Sequence, residues 1–316
     1  MLPLEVELEE APCPMGCSAG DDEIVTDRDR SYNQPGEFTV VRCRTCRLMR
    51  TNPRPTREGI RRYYPNEYAP YQDTRRMMPE SAPPSAALWK RPLQSLLKVY
   101  DARAVPPLQT GRMLEIGCAS GVFLRLMAER GWQVEGLELS ERAAALAKSQ
   151  GFVVQIGELE GVAEPSAPYD LIVGWHVFEH LRQPLDALVR LRQWSKPGGW
   201  LAFSMPDASS WEFSFFKERW YGLQLPNHLF HYTPATLNQV LARSGWRAKR
   251  YFWHANPNNL LESLRYFCCD HGWGKMADFF LAVAQGRRLH YPHRVLGKML
   301  GLMHASGRMT VWARRD

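Results

Sequence analysis

No stretch of this 316-residue chain is both long and apolar enough to cross a bilayer. Trp220 to Ala242 carries no formal charge, but prolines, histidines and other polar groups interrupt it, which excludes a spanning helix. Met1 to Glu10 is acidic and lacks both a basic start and a long apolar run, so it does not read as a secretory signal. A cytoplasmic setting is therefore expected, where disulfides among the seven cysteines are the weaker reading. Acidic residues are missing from Phe279 to Arg315, a segment that holds Arg287, Arg288, Arg294, Lys298, Arg308, Arg314 and Arg315. That uneven placing says more than the modest net charge of +7. Interleaved with Phe279, Phe280, Leu281, Leu296, Met299 and Met303, the cations suit an amphipathic helix pair in peripheral contact with an anionic membrane over 279–315. The plain alternative is a solvated face.

What the chain does have is Met113-Leu-Glu-Ile-Gly-Cys-Ala-Ser-Gly121, an apolar run that breaks into a glycine turn and then a helical pattern. Leu114 and Ile116 belong to a strand. Gly117 and Gly121 lack a Cβ and let backbone approach a ligand closely. Phe123, Leu126, Met127 and Arg130 recur at helical spacing, so free N–H groups at the helix start face the ligand's negative end. A second strand, Gln133 to Leu137, ends at Glu138, about 20 residues after the first glycine, the distance for a carboxylate that accepts from ribose hydroxyls. The spacing is not that of a dinucleotide fingerprint: Ala119 stands where that pattern demands glycine, and the Glu115 carboxylate would repel a pyrophosphate. A sulfonium or an amino group would not be repelled. The details thus favour S-adenosylmethionine over NAD, against the alternative of an ordinary strand-turn-helix.

The alternation continues downstream. Ser140 is an N-cap for a helix of Ala143, Ala144, Leu146 and Ala147, and Val153 to Ile156 is a third strand ending at Gly157-Glu158-Leu159. Glu158 there can accept from an adenine amino group, with Leu159 covering the ring. Tyr169 to Trp175 reads as a fourth strand, Pro184 to Trp194 as a helix, Lys196-Pro-Gly-Gly199 as a turn and Trp200 to Met205 as a fifth strand. Thr233-Pro234 opens another helix, and Trp246 to His254 and Met309 to Arg314 are the last strands.

These motifs, with Trp175-His-Val-Phe-Glu-His180 and Leu225-Pro-Asn-His-Leu-Phe-His231, make the chain similar to class I S-adenosylmethionine-dependent methyltransferases, over roughly Gly111 to His254 plus the final strand. The resemblance extends to a bacterial branch with an amino-terminal zinc ribbon followed by Asn-Pro-Arg-Pro, here Asn52 to Pro55. It implies an α/β, Rossmann-like, doubly wound seven-stranded sheet, mostly parallel, with one antiparallel strand assigned to Met309–Arg314. It also implies that Glu115, Gly117, Cys118, Ala119, Gly121 and Phe123 surround the methionine part, that Glu138 and Leu139 serve the ribose and adenine, and that Trp175 and His176 lie near the reactive methyl. Ala119 replaces a frequent glycine, Glu158 a usual aspartate, and Asn227 stands where arginine is common before His228.

Cys13-x-x-x-Cys17 and Cys43-x-x-Cys46 have the spacing of a structural zinc ribbon, a closed tetrahedral site that holds a fold and does no chemistry. Cys118, Cys268 and Cys269 read as small buried apolar residues. The expected organisation is a zinc ribbon at 1–56, a tyrosine-rich linker and helix at 57–108, a catalytic domain at 109–256 completed by the strand at 308–316, and a basic helical insertion at 257–307. Tyr63, Tyr64, Tyr68 and Tyr71 are expected to pack ribbon against domain, Ser81 to Ser85 to form a linker, and Leu93 to Ala102 a helix.

An oxygen acceptor must lose its proton, and a histidine is the natural base. His176 follows the fourth strand directly, while His228 and His231 lie three apart in a segment, Ser209 to Tyr232, expected to cover the acceptor. Their alternative is a structural pair, and Glu179 and His180 are expected to anchor the next helix. After the fourth strand there is no Asn-Pro-Pro-aromatic sequence and no cysteine following a proline. This argues against nucleic acid and for a small-molecule or glycan acceptor. An RNA-modifying enzyme using ribbon and basic tail, or a catalytically silent docking module, are the competing readings.

Overall fold

The computed structural model describes residues 6–64, 105–254, 257–285, 290–303 and 305–316. Tyr68, Tyr71, the 81–85 linker, the expected helix at 93–102, Arg287 and Arg288 lie outside them.

At the amino terminus β1 (Leu8–Glu9) pairs antiparallel with β5 (Arg54–Pro55), and β2 (Asp21–Arg28), β3 (Glu37–Cys43) and β4 (Met49–Thr51) form an antiparallel meander. Phe38, Val40 and Met49 are buried in a cluster with Phe213, Phe216 and Trp220, and polar groups add to the fastening. The buried Arg50 guanidinium donates to the Ala11 carbonyl and forks onto the Asp21 carboxylate. Asp29, also buried, accepts from the backbone N–H groups of Ser31, Tyr32 and Gln34 and so shapes the tip between β2 and β3.

The main sheet contains β6 (Arg112–Ile116), β7 (Gln133–Glu138), β8 (Val153–Ile156), β9 (Tyr169–Trp175) and β10 (Ser195–Pro206). A short β11 (Phe230–His231) belongs elsewhere, and β12 (Trp246–Trp253) and β13 (Arg308–Arg315) complete the seven strands in the order β12-β13-β10-β9-β6-β7-β8. β13 runs antiparallel to both neighbours, β10 and β12, and the β6, β7, β8, β9 and β10 pairings are parallel, as the resemblance implies. The first strand in sequence, β6, lies between β9 and β7, so the chain reverses its winding there and leaves a crevice beyond the carboxyl ends.

Both faces of the sheet are covered, because its strands alternate their apolar side chains with period two. Leu114, Ile172, Leu201 and Phe203 face one layer, shared with α3 (Pro184–Trp194) and α5 (Pro234–Arg243); Met113, Leu171, Val173 and Ala202 face the other, under α1 (Val122–Ala128) and α2 (Glu141–Lys148). Ser140 caps α2 by accepting from Ala143 N, and Thr233 and Thr236 form a reciprocal capping box on α5. Between β10 and β11 stands α4 (Trp211–Phe216), and α6 (Asn258–Asp270), α7 (Gly274–Ala284) and α8 (His290–Leu302) lie between β12 and β13.

Several expectations change. α1 stops at Ala128, so Arg130 lies beyond it; Gly131, at φ +89°, closes the helix as Trp132 N turns back to the Met127 carbonyl. Lys196-Pro-Gly-Gly199 is a register irregularity inside β10, not a turn before it, since Ser195 already pairs with Tyr169. Cys269 is exposed, whereas Cys118 and Cys268 are buried. Three cations of the acid-free tail are used by the sheet: Arg308 stacks over Tyr221, Arg314 over Trp200, and Arg315 donates to the Ser195 carbonyl. No helix among the described residues is long and apolar enough to cross a membrane.

Candidate functional site

The largest departure from the sequence reading is that the ribbon does not close on itself. β11 adds antiparallel to β4, joining Phe230–His231 to a sheet otherwise made of ribbon strands. Thr51 fixes the seam: its N–H donates to the Leu229 carbonyl (3.0 Å) and its hydroxyl to the His228 carbonyl (2.9 Å). Leu229 N in turn donates to the Glu179 carbonyl at 2.8 Å, so a line of hydrogen bonds runs from the ribbon to the end of β9.

A cavity of about 200 Å³ opens at the carboxyl ends of β6, β7 and β8, where the winding reverses. Gly117, Glu138, Leu139, Glu158 and Leu159 line it together. Glu138 is buried, and its two carboxylate oxygens accept from Ala119 N and Ser140 N, each at 2.8 Å. Burial pushes this carboxyl above its ordinary range, and the N–H groups of Ser140, Ala119 and Leu139 pull against that rise. Each oxygen has a second lone pair, so accepting capacity toward the cavity remains.

Gly117 has φ +68°, and a Cβ there would come within 2.7 Å of Val177 Cγ2. Gly121 has a different reason from the one expected: it starts α1 in the left-handed region, and a Cβ would press on Ala147 and Phe152, so the absent side chain serves helix packing. Ala119 sits at φ +46°, which explains why glycine is favoured at that position. Glu115, Cys118, Ala119, Gly121, Phe123 and Trp175 do not line this cavity. Phe123 is 2% exposed and meets Trp175 edge to face at 5.1 Å in the core. Cys118 is packed beneath Gly136, and burial pushes its thiol up.

The outer wall was not legible in the sequence. Arg57, Ile60 and Tyr64, just past the ribbon, line the same cavity, and Arg57 forms an ion pair with Glu158 across it. Asn227 also lines it: Nδ2 donates to the Tyr63 carbonyl at 2.9 Å, while its buried Oδ1 has no partner among the described residues. That orphan acceptor is a group a ligand donor would satisfy.

A second cavity, of about 370 Å³, lies beside the first and shares His180 with it. His176 and His228 line it with His180. The ribbon tip supplies Ser31 and Tyr32, and the helical insertion supplies Arg265 and Tyr266. Arg30 bridges these two contributors by binding Asp270 at the end of α6 and Asp27 in β2. His176 has φ +58°, a costly conformation for a side-chain residue that recurs at functional sites. Its Nδ1 is 3.2 Å from Glu179 Oε1. Glu179, only 1% exposed, thus lies against the side chains of the second cavity, whose wall includes His180.

Burial disfavours charge on the cluster. Burial pushes Glu179 up to about 7, against the pull of neighbouring cations, and burial lowers His180 and sends His228 well below the usual imidazole range. His231 is not brought to either cavity. Its ring lies 3.3 Å from the Thr51 hydroxyl, and burial lowers it from 6.5 to about 3. The geometry gives it a packing place at the seam, not a position as base.

A stability consequence follows from His231. The unfolded chain binds that proton near pH 6.5 and the folded chain only near 3, so stability is full above the first value and is lost as pH falls through this window. The slope approaches about 1.4 kcal/mol per pH unit for one such group. In thermal melts, His231→Gln is expected to lessen the acid sensitivity between pH 6.5 and 4 relative to the parent; an unchanged slope would mean the ring is already charged when folded.

Cys13, Cys17, Cys43 and Cys46 converge, with all four sulfurs within 4.8 Å of one another and Cys13 Sγ to Cys46 Sγ at 3.5 Å. Burial raises the Cys43 thiol, but the amides of Cys46 and Thr45, with the neighbouring thiols, outweigh it and bring the group down to about 7, whereas burial raises the thiols of Cys17 and Cys46. The donor set fits a four-coordinate structural ion. Ribbon cations are paired: Arg42, Arg44 and Arg47 all converge on Asp22.

Comparison with known proteins gives a family and a set of partial relatives. A family model described as "Methyltransferase domain" matches residues 86–249, more than half of the chain. A "Ubiquinone biosynthesis O-methyltransferase" of Bordetella pertussis is 28% identical over 151 residues, which is 41% of this chain and 61% of the relative. A protein of the same name from Paraburkholderia phytofirmans is 33% identical over 125 residues, 36% of this chain and 53% of the relative. The chain thus spans about half the length of the curated relatives it matches. A solved S-adenosylmethionine-dependent methyltransferase from Mesorhizobium loti aligns with a TM-score of 0.45 at 19% identity, over 72% of this chain and 97% of that one.

Proposed function

This chain belongs to the methyltransferase-domain family and carries a class I S-adenosylmethionine-dependent methyltransferase domain, and from that premise we propose that it methylates an oxygen of a small-molecule or saccharide acceptor. One observation carries the proposal: His180 is common to the walls of both cavities, so a cofactor in one and an acceptor in the other would meet beside the histidine cluster. The relatives' name, which specifies O-methylation, favours oxygen as the accepting atom.

In this reading Glu138 accepts from the ribose hydroxyls, Leu139, Glu158 and Leu159 take the adenine, and the turn from Gly117 to Gly121, backed by Glu115 and Cys118, takes the methionine end. Bound S-adenosylmethionine supplies a methyl group on a positively charged sulfur. The new oxygen–carbon bond forms as the carbon–sulfur bond breaks, with its electron pair left on sulfur, so alignment across the shared wall supplies much of the rate. The acceptor's proton goes to His176. With its Nδ1 donating to Glu179, the neutral ring has Nε2 as the accepting nitrogen, the tautomer a base needs. The four amino-terminal thiolates hold a structural zinc ion that fixes the ribbon's share of both walls.

Calorimetry with S-adenosylhomocysteine, followed by a screen of small-molecule acceptors with labelled methyl donor, tests this reading. Glu138→Ala is expected to weaken binding of the by-product by about 1–3 kcal/mol through unpaired ribose hydroxyls. Affinity equal to the parent's would remove Glu138 from the site, and no heat with the parent protein would remove the cofactor.

A further inference from the structure

The histidine cluster contains an arrangement that proton transfer alone does not require. Glu179, His180 and His228 each offer one ligand atom, and the three atoms lie within 4.8 Å of one another. Both histidines commit Nδ1 to a backbone carbonyl: His180 donates to Asn227 O and His228 to Gly222 O, each at 2.8 Å. In a neutral ring this leaves Nε2 as a lone-pair donor, and such an outer hydrogen bond is the usual way a metal-binding histidine is oriented. His228 Nε2 faces Glu179 Oε1 at 3.9 Å. That separation is too long for a hydrogen bond, but shorter than two metal bonds of about 2.1 Å placed end to end, so one ion can reach both atoms. Glu179 Oε2 is buried and, among the described residues, has no hydrogen-bond partner, so the carboxylate retains an unsatisfied acceptor that a cation would compensate.

We propose that Glu179, His180 and His228 bind a divalent transition-metal ion at the junction of the two cavities, separate from the four thiolates of the ribbon. Two imidazoles and one carboxylate form a three-ligand set that leaves positions open, unlike the closed sulfur site. His176 stays outside the ligand set, with its ring on the cavity wall. On the methyltransferase reading given above, the open positions would take acceptor oxygens, favouring acceptors with two adjacent oxygens and easing loss of the proton that His176 receives.

Cobalt titration of the full chain already carrying its ribbon zinc tests the site. One Co²⁺ per chain, with visible bands of nitrogen and oxygen ligation and no thiolate charge-transfer band, is the expected result. Glu179→Gln and His228→Gln should each weaken uptake at least tenfold while still binding S-adenosylhomocysteine. No uptake beyond the ribbon, uptake with a thiolate signature only, or undiminished uptake in both variants would overturn the proposal. Should the variants fail to fold, the stoichiometry and spectrum of the parent protein decide alone. By-product binding without cobalt uptake would sink the metal site and leave the methyltransferase reading standing, whereas cobalt uptake without by-product binding would do the reverse.

Discussion

Cys43→Ser is expected to empty the amino-terminal site of zinc and to unfold the ribbon, and the damage should reach the ligand cavities. Binding of a structural zinc ion is worth about 10–16 kcal/mol in small peptide systems, comparable to or larger than the whole stability of a typical domain. The meander has no large apolar core of its own: Phe38, Val40 and Met49 are buried chiefly against Phe213, Phe216, Trp220 and Leu225 of the main domain. The sequence places ribbon and catalytic domain in separate spans, which by itself would let the cofactor pocket survive the mutation. The structure argues otherwise, because β4 pairs with β11 and Thr51 holds the carbonyls of both His228 and Leu229. Arg57, Ile60 and Tyr64 would also leave the first cavity, and Ser31 and Tyr32 the second. By-product affinity should therefore fall at least about tenfold, or about 1.4 kcal/mol. Amide exchange at 229–231 should quicken at the same time. Metal loss with both measurements unchanged would mean that the seam holds without the ribbon.

His176→Ala should lower methyl-transfer turnover by about 10²–10⁴-fold, the usual contribution of a positioned acid–base group, while by-product affinity stays near that of the parent. His176→Gln refines the test. The amide can still donate to Glu179 but cannot accept the acceptor's proton at the ring position, so it should restore local packing without restoring turnover. Rescue of turnover by glutamine would assign the ring a merely structural part. Glu179 is the reason for preferring His176 over His228 as base: its carboxylate receives Nδ1 at 3.2 Å and sets the tautomer. His228 instead spends Nδ1 on the Gly222 carbonyl and is only 3% exposed.

The positions that sequence determined are those governed by near neighbours. Alternation in Met113–Ile116 and Leu171–Val173, and the helical repeats between them, follow from a period that any local window contains. The Ser140 and Thr233 caps likewise need only residues three positions apart. Glu138 could be read because a strand of known rise ends where its carboxylate must be. Even the reversed strand at the carboxyl end was legible from a family resemblance in motif order, and β13 takes that place.

Tertiary structure alone decided what crosses the chain at long range. Nothing local to Phe230–His231 says that its partner is Met49–Arg50, about 180 residues earlier, because sheet pairing depends on backbone groups that every residue has. For the same reason His231, alike in sequence to His228, is separated from it in role by a neighbour's hydroxyl. Glu179 acquires its meaning only when burial and three imidazoles surround it, and burial is a property of the packed molecule and not of the residue. The chain thus wrote its own strands, caps and glycine turn, while folding chose which histidines, and which face of the ribbon, would share a wall.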